Sequence, residues 1–311
     1  MPAGDRAVRI LLFGAEGQLG WELRRSLSVL GSVEAITRND GLKVDLEKPE
    51  SLRICIQSTR PDVIVNAAAY TDVVAAETQQ EMAFRINAEA PRVMAEETKQ
   101  IGALFVHYST DYVFDGNSSS AYDESSKTAP LNLYGKSKLA GDMAITQSGC
   151  DYLVFRTSWV YSARRKNFLS TMLPLLTSRQ SLSVVCDQVG APTSAELIAD
   201  VTAHGVLAAL DDRKHCGLYH LAASGEASWW QFAVLISEQL RAKGMRTVMD
   251  TDAIKPVTSA DYAGGVARPL NSRLSCDRLR KAFGLHLPRW EDGVARVIDE
   301  RFSLSEKEIL R

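Results

Sequence analysis

Tyr134 and Lys138 lie four residues apart in the segment NLYGKSK, a spacing that could support acid catalysis. On a helix, positions i and i+4 share one face, with Cβ atoms about 5–6 Å apart. An ammonium at that distance favours the charged form of a phenol and so lowers its pKa. The chain has 9 tyrosines, so the same spacing also fits an ordinary exposed helix start. The surrounding sequence has to decide between these interpretations.

Thr110 is a third candidate, because it ends an apolar run in the segment HYSTDYVFDG. The run ALFVHYS predicts a strand over 103–109, which places Ser109 and Thr110 at its carboxyl end. Ligands of open α/β sheets bind outside the carboxyl ends of the strands. A hydroxyl there could donate a hydrogen bond to a substrate carbonyl, so Thr110, Tyr134 and Lys138 form a candidate catalytic set.

A glycine-rich turn follows the first predicted strand, Val8 to Phe13. Gly14, Gly17 and Gly20 recur at a G-x-x-G-x-x-G spacing that opens a helix with an apolar stripe. Glycine permits a tight turn and close backbone approach to a pyrophosphate, whose charge the helix N-terminus favours. A strand precedes the turn, a helix follows it, and a βαβ pattern continues beyond it. This context favours dinucleotide binding over a purely structural turn.

The second predicted strand, 33–37, ends in Thr37-Arg38-Asn39. An acid at this point commonly binds the ribose of NAD, whereas a basic residue accommodates the 2′-phosphate of NADP. Arg38 therefore suggests that NADPH is accepted, with NADH as a second possibility; a merely solvated arginine is the alternative. Asp45 could face the adenine or simply cap the next helix.

Short apolar runs alternate with amphipathic segments in the first half of the chain, as in βαβ units of a parallel sheet. Further strands are predicted over 62–69, 152–156, 183–186 and 218–221, and helices over 82–101, 134–148, 168–177, 194–210 and 228–243. The polar segment 116–130 is predicted to be a surface loop, either closing over a ligand or serving as a mobile connection.

The order of these elements predicts the fold class α/β, a Rossmann-type doubly wound parallel sheet with a smaller mixed C-terminal substrate domain. We expect a Rossmann domain over 1–165 and a mainly substrate-binding domain over 166–311, with some segments returning to the first domain.

Composition narrows the class of partners. The chain has 311 residues, a formal net charge of -2 and no basic stripe, which favours small molecules or protein chains over nucleic acid. Its five cysteines have no C-x-x-C spacing and its five histidines no metal-ligand spacing. No signal-peptide pattern and no run of about 18 apolar residues is present, so we expect a soluble cytoplasmic protein that binds no membrane.

The triad of Thr110, Tyr134 and Lys138 beside a glycine turn resembles that of the short-chain dehydrogenase/reductases of the extended type. The chain is most similar to their dTDP-4-dehydrorhamnose reductases, through segments such as RPDVIVNAAAYT, PLNLYGKSKLAGD, FRTSWVY, DQVGAPT and RPLNSRL. The resemblance covers nearly the whole chain. It implies hydride transfer from NAD(P)H to C4 of dTDP-4-dehydro-L-rhamnose, giving dTDP-L-rhamnose, with Tyr134 as the acid, Lys138 holding the ribose and Thr110 orienting the carbonyl.

The resemblance also implies the residues of two binding sites. The cofactor would contact Gly14, Gly17, Gln18, Leu19, Gly20, Arg38, Asp45, Leu46, Ala67, Ala68, Ala69, Tyr134 and Lys138. The sugar nucleotide would contact Thr110, Asp111, Tyr112, Trp159, Asn167, Gln188, Arg268 and Asn271. Trp159 could equally be a core aromatic, and the alanine run could equally serve helix-to-sheet packing.

Some members of the family hold Mg²⁺ between the subunits of a homodimer, and the matching positions here are Glu22, Glu196 and Glu291. The alternative is structural, since Thr193-x-x-Glu196 is typical of a helix capping box and the other two are ordinary helix acids. A metal-bridged homodimer is therefore one hypothesis among two.

Two other functions remain as alternatives at the level of sequence, and a third, the dehydratase, is disfavoured. Sugar-nucleotide 4,6-dehydratases resemble this chain but carry an Asp-Glu pair after the threonine, whereas this chain has Asp111-Tyr112 and lacks that base. A non-catalytic regulatory partner of methionine adenosyltransferase shares the fold and the STDYVFDG region. A reductase of another 4-keto-deoxysugar nucleotide would use the same triad.

Overall fold

The computed structural model describes residues 7–36, 44–245, 247–262 and 265–309, with side chains up to residue 303. The strands are β1 (Val8–Phe13), β2 (Gly31–Ile36), β3 (Val63–Asn66), β4 (Leu104–Thr110), β5 (Asp151–Thr157), β6 (Val160–Tyr161), β7 (Leu182–Val185), β8 (Val189–Gly190), β9 (Thr193–Ser194), β10 (Gly217–His220), β11 (Ala227–Ser228) and β12 (Ile254–Val257). The α-helices are α1 (Gln18–Ser28), α2 (Pro49–Thr59), α3 (Val73–Ala76), α4 (Gln80–Phe84), α5 (Ala90–Ile101), α6 (Leu133–Ser148), α7 (Phe168–Ser178), α8 (Ala195–Asp211), α9 (Trp229–Ala242), α10 (Asp277–Phe283) and α11 (Trp290–Ile309).

The central sheet has six strands in the order β10-β5-β4-β3-β1-β2, and all of its pairings are parallel. The chain passes from β1 to β2 on one side and then to β3 on the other. The topological switch point therefore lies between the carboxyl ends of β1 and β3, where open α/β sheets bind their ligands. This topology confirms the predicted doubly wound α/β class.

Helices cover both faces of the sheet, which explains why its inner strands are continuous apolar runs. Every residue of β3 and β4 is buried. On one face Leu23 and Leu27 of α1 pack with Ile198 of α8 in one apolar core. On the other face α2 and α5 supply Leu52, Ile56, Val93 and Met94 to a separate core.

The second half of the chain divides between two cores. Helices α7, α9 and α11 build a core of their own around Leu169, Phe232 and Trp290. In contrast, β10 forms an edge strand of the main sheet and α8 packs on α1. The domain division at residue 165 stays a prediction, with α8 and β10 as segments that lie against the Rossmann sheet. Within the described residues, none of the helices is both long and apolar enough to cross a membrane.

Two local predictions were wrong. The helix predicted over 82–101 is interrupted by a π-helical turn, Arg85–Glu89. Pro91 has no N–H to donate to the Asn87 carbonyl, which removes one α-helical hydrogen bond at this turn. The capping box expected at Thr193 is also not formed, because Ser194 is the N-cap of α8 and its side chain accepts the N–H of Leu197.

The polar segment 116–130 is a surface connection, but it is fastened to the C-terminal part of the chain. The Asn271 side chain donates to the carbonyls of Ser118 and Ser120, at 2.8 and 2.7 Å. The Tyr122 ring stacks on Phe114 with 4.2 Å between centroids. These contacts hold the segment beside the carboxyl end of β4.

Helix α6 packs so closely on the chain after β4 that its glycines have no room for a side chain. A Cβ on Gly135 would lie 2.2 Å from the Tyr112 carbonyl oxygen. We expect Gly135→Ala to lower the free energy of unfolding by about 1–3 kcal/mol, because the helix must shift to relieve the overlap. Urea unfolding followed by circular dichroism would measure this loss. The control is Lys136→Ala at the adjacent exposed position, and equal unfolding midpoints for the two variants would contradict the prediction.

Candidate active site

Thr110, Tyr134 and Lys138 come together where β4 ends and α6 begins. Thr110 is the last residue of β4, and the other two lie one turn apart on α6. The helix starts at a fixed point, because the Asn132 side chain accepts the N–H of Gly135 at 2.8 Å as its N-cap. The same side chain donates to the Ala267 carbonyl at 2.9 Å, which ties the helix start to the C-terminal chain.

The Thr110 side chain lies near enough to the Tyr134 phenol to act on its pKa. Burial raises the pKa of Tyr134 above its ordinary value, and the nearby Thr110 hydroxyl lowers it again in part. The net direction is opposite to the lowering that the Tyr134 and Lys138 spacing predicted. The physical reason is that desolvation of the phenolate exceeds the favourable contributions in the protein alone.

The Lys138 ammonium is directed into the protein, with 2% of the residue exposed. Its Nζ donates to the Tyr108 carbonyl oxygen at 2.6 Å and lies 3.2 Å from Nε2 of His107. Burial lowers the pKa of Lys138 to about 8, against the attraction of Asp142. An ammonium has three donors, so one N–H remains for a ligand at the sheet edge.

Asp142 continues the line of Tyr134 and Lys138 along α6 and is itself buried. Its carboxylate accepts from Nε of Arg156 on β5 at 3.0 Å. Burial raises the pKa of Asp142, while the Arg156 guanidinium acts to lower it. The guanidinium also lies 5.4 Å from the centre of the Phe114 ring. This pair fixes α6 to the sheet through a charge that has no access to water.

Three predicted substrate residues lie beside the triad. The Thr110 hydroxyl donates to Asp111 at 3.0 Å, and the Tyr112 ring packs edge-on to Tyr134 with 5.7 Å between centroids. Burial raises the pKa of Asp111 to about 6, although bonds from Ser272 and Thr110 act to lower it. The pKa of Tyr112 is raised to about 12 by burial and by Asp111, and Arg268 acts to lower it. Arg268 is thus near enough to influence this corner of the site.

The glycine turn lies at the switch point of the sheet, directly against the chain that follows β3. Gly14 has a φ of +78°, and a Cβ there would lie 2.5 Å from the Ala68 nitrogen. A Cβ on Gly20 would lie 2.0 Å from the Gly14 carbonyl oxygen. Gly17 is the N-cap of α1 and provides no capping side chain. The turn therefore has the conformation and the open helix start that a pyrophosphate requires.

Gln18 and Asn167 connect the glycine turn to the second half of the chain. Oε1 of Gln18 accepts from Nδ2 of Asn167 at 2.9 Å and from the Ser162 hydroxyl at 3.1 Å. Asn167 also caps α7, where its Oδ1 accepts the N–H of Ser170. Asn167 thus contacts a predicted cofactor residue, and its assignment to the sugar nucleotide stays a prediction.

Two further predicted substrate residues, Trp159 and Gln188, both contact Trp229 in the second half of the chain. Trp159 has a φ of +48° and stacks on Trp229 at 3.6 Å, with Gly190 beneath the ring. Gln188 accepts from Trp229 Nε1 at 3.2 Å and donates to Ser259 at 3.0 Å. Their roles toward substrate stay predictions, as does that of Asn271, whose amide holds the 116–130 segment.

The remaining cofactor residues surround the turn or lie beyond it. Leu19 packs on the apolar core beneath α1. Ala67, Ala68 and Ala69 follow β3 directly and are partly buried. Asp45 accepts the N–H of Glu47 and so closes its own turn, while Lys48 is the N-cap of α2. The capping role considered for Asp45 is therefore wrong. Leu46 packs against the core under α2, and Arg38 lies outside the described residues.

The three candidate Mg²⁺ ligands do not form one cluster. The pKa of Glu22 is raised by burial and by repulsion from Glu196, so these two acids are near each other. Glu196 accepts from Arg296 at 2.8 Å, however, and Glu291 pairs with Arg289 at 2.5 Å. Among the described residues, no group of three or more His, Cys, Asp or Glu could hold a metal ion. The metal-bridged homodimer stays a prediction.

The structure also shows site residues that the sequence analysis did not select. His107 contacts Lys138, Ser272 lies near enough to Asp111 to lower its pKa, and Trp229 stacks on Trp159. His107 and Ser272 lie inside the quoted segments HYSTDYVFDG and RPLNSRL, so the segments pointed to them. Their partners are distant in sequence, and no spacing rule could have identified the contacts.

The fold, the glycine turn and the triad together define an NAD(P)-dependent oxidoreductase of the extended short-chain dehydrogenase/reductase type. The family model for the RmlD substrate binding domain matches residues 8–302. The chain is 45% identical to a dTDP-4-dehydrorhamnose reductase of Burkholderia thailandensis over 300 residues, which cover 95% of this chain and 100% of that protein. Identity to the reductase of Escherichia coli K12 is 44% over 297 residues, covering 95% and 99% of the two chains. This chain therefore belongs to the dTDP-4-dehydrorhamnose reductase family.

The solved structures agree with this assignment. The crystal structure of dTDP-4-dehydrorhamnose reductase from Bacillus anthracis in complex with NADP has a TM-score of 0.85 to this chain at 32% identity. The alignment covers 94% of this chain and 99% of that one. The family resemblance found in the sequence is confirmed.

The buried Asp142 and Arg156 pair should be essential for stability. We expect Arg156→Met to lower the free energy of unfolding by about 3–5 kcal/mol, because it leaves the Asp142 carboxylate buried without its partner. The matched control is Arg280→Met, which breaks an exposed pair with Asp277 and should cost no more than about 1 kcal/mol. Urea unfolding of both variants makes the comparison, and equal losses would contradict it.

Proposed function

We propose that this protein reduces the 4-keto group of dTDP-4-dehydro-L-rhamnose to give dTDP-L-rhamnose. The observation that supports this most strongly is the position of Thr110, Tyr134 and Lys138 at the edge of the sheet that also carries the glycine turn. The relatives of 45% and 44% identity are named as reductases of this substrate. A dehydratase would need a further base, and the residue after Asp111 is a tyrosine.

The chain's own residues would do the following. With substrate bound, the Thr110 hydroxyl would turn its single proton from Asp111 to the substrate carbonyl oxygen and hold that oxygen next to the Tyr134 hydroxyl. Tyr134 gives its proton to that oxygen as the alcohol forms, a general-acid contribution typically worth about 10²–10⁴-fold. Lys138 directs its remaining N–H toward the ribose and stabilises the tyrosinate. The nicotinamide cofactor supplies the hydride.

The raised pKa of Tyr134 suits this role in the protein without ligands. The phenol keeps its proton until the carbonyl oxygen becomes basic. It can then act as the acid in the forward reduction. Burial raises the pKa of its neighbour Asp111 to about 6, and Asp111 accepts from the Thr110 hydroxyl at 3.0 Å. Asp111 therefore holds the Thr110 proton only until a substrate carbonyl oxygen replaces it as the acceptor.

The cofactor is a nicotinamide dinucleotide, and NADPH is our proposal for the preferred form. The glycine turn leaves the N-terminus of α1 without a capping side chain, which suits a pyrophosphate, and NADP is bound in the Bacillus anthracis relative. We also propose that the reaction takes place in the cytoplasm, in keeping with five unpaired cysteines. A homodimer, with or without Mg²⁺, is proposed from the family resemblance alone.

The function can be tested with NADPH and dTDP-4-dehydro-L-rhamnose generated in place. We expect the wild type to consume NADPH and Tyr134→Phe to lose about 10²–10⁴-fold in rate, because the acid is removed. Tyr152→Phe, on β5 outside the triad, is the matched control and should keep the wild-type rate. Wild-type protein that binds NADPH but does not turn over this sugar would move the proposal to another 4-keto-sugar nucleotide.

The role of Arg38 can be tested separately. We expect Arg38→Ala to lower kcat/KM with NADPH by about tenfold, equivalent to about 1.4 kcal/mol, because one charge-assisted bond to the 2′-phosphate is lost. The value with NADH should stay unchanged. Arg92→Ala on the surface of α5 is the control for loss of a positive charge. Equal losses with both cofactors would show that Arg38 does not recognise the phosphate.

A further inference from the structure

A line of three buried polar side chains leads from Lys138 to the backbone of Ala68, which lies against the glycine turn. The Lys138 Nζ lies 3.2 Å from Nε2 of His107, and Nδ1 of His107 lies 3.2 Å from Nδ2 of Asn66. Oδ1 of Asn66 accepts the N–H of Ala68 at 3.1 Å. Asn66 and His107 are each 1% exposed and Lys138 is 2% exposed.

The direction of these hydrogen bonds is determined at the Ala68 end. A backbone N–H needs an acceptor, so it must face Oδ1 of Asn66 and leaves the amide NH₂ facing His107. Nδ1 of His107 then accepts, which places the ring proton of a neutral imidazole on Nε2. Nε2–H in turn needs a lone pair on Nζ, and only an uncharged Lys138 has one.

A charged Lys138 requires the opposite arrangement. The ammonium donates to Nε2 of His107, so the ring proton must move to Nδ1. Nδ1–H then needs an acceptor, which Asn66 provides only by turning its amide and giving up the bond from Ala68. Each state has one ring proton on His107, and the two states differ by the single proton that Lys138 exchanges with solvent.

We propose that His107 is a positioning residue for Lys138 and that its ring tautomer follows the charge of Lys138. A fixed acceptor would stabilise only the ammonium, whereas a ring that exchanges its donor and acceptor atoms gives Lys138 a partner in both states. Asn66 extends this coupling to Ala68, which lies against Gly14 of the glycine turn. The catalytic relevance of the coupling rests on the reductase function proposed above.

The surrounding charges are compatible with this exchange. Burial and the nearby Lys138 hold the pKa of His107 well below its ordinary value, so the ring stays neutral. On α6, Asp142 favours the charged form of Lys138, and its partner on β5 is Arg156. Further titratable groups at this end of the site are Tyr134 on α6, Tyr108 on β4, and Asp111 and Tyr112 after β4.

The tautomer can be read directly in the full-length protein without cofactor or substrate. In [¹⁵N]histidine-labelled protein, the imidazole ¹⁵N resonances distinguish Nδ1–H from Nε2–H, and His107→Gln assigns the signal. We expect His107 to change from Nδ1–H to Nε2–H as the pH rises through the pKa of Lys138, which burial lowers to about 8. A single His107 tautomer on both sides of the Lys138 titration would overturn the proposal.

His220 is an internal control. It is also buried, and its Nδ1 lies 3.0 Å from the Tyr122 carbonyl oxygen, an acceptor that cannot change its role. Its tautomer should therefore stay Nδ1–H over the whole pH range. A change at His220 with the same midpoint would assign the effect to a general structural transition and overturn the proposal.

Two variants separate positioning from simple packing. The titration of Lys138 is followed through its ¹³Cε resonance, assigned with Lys138→Met. We expect His107→Leu to lower the midpoint, because the ammonium loses an acceptor, and His107→Gln to restore it through the side-chain oxygen. An unchanged midpoint in His107→Leu, or equal changes in both variants, would overturn the proposal. Because these measurements use no substrate, a failure of the reductase assay alone would refute the proposed function and leave this result intact.

Discussion

The buried ammonium of Lys138 is the group on which the arrangement of the site depends. Removing an ammonium from water is costly unless hydrogen bonds and an opposite charge replace the water. Here β4 supplies the Tyr108 carbonyl and the His107 ring, and α6 supplies Asp142. Asp142 needs its own partner, which β5 provides as Arg156. Helix α6 must therefore lie against these two strands, and this position brings Tyr134 to Thr110.

Close backbone approach makes this position possible. Gly135 and Gly141 let α6 approach the Tyr112 and Asn87 carbonyls, where any side chain would overlap. The same principle operates at the switch point of the sheet, where Gly14 lies against the chain after β3. Close backbone contacts therefore fix the positions of both halves of the candidate site, the glycine turn and helix α6. An oxidoreductase gains from this rigidity, because hydride and proton must reach adjacent atoms of one substrate.

The second half of the chain completes the site by contacts across long stretches of sequence. Ser272 lies near enough to Asp111 to lower its pKa, Asn132 bonds to the Ala267 carbonyl, and Asn167 bonds to Gln18 of the glycine turn. These contacts connect the surroundings of Thr110 and the glycine turn to the same C-terminal half. A substrate that touches both halves would therefore meet residues already held in place by each other.

The sequence by itself determined the elements and the chemical class. Alternating apolar runs predicted the parallel sheet, the G-x-x-G-x-x-G turn predicted the dinucleotide site, and the spacing of Tyr134 and Lys138 predicted one helical face. Those features are local, so their periodicity and residue type are sufficient. Only the tertiary structure decided that Lys138 is held by His107, that the pKa of Tyr134 is raised and that Ser272 faces Asp111. These properties arise from burial and from partners far apart in the chain, and neither is encoded in the spacing of residues along one segment.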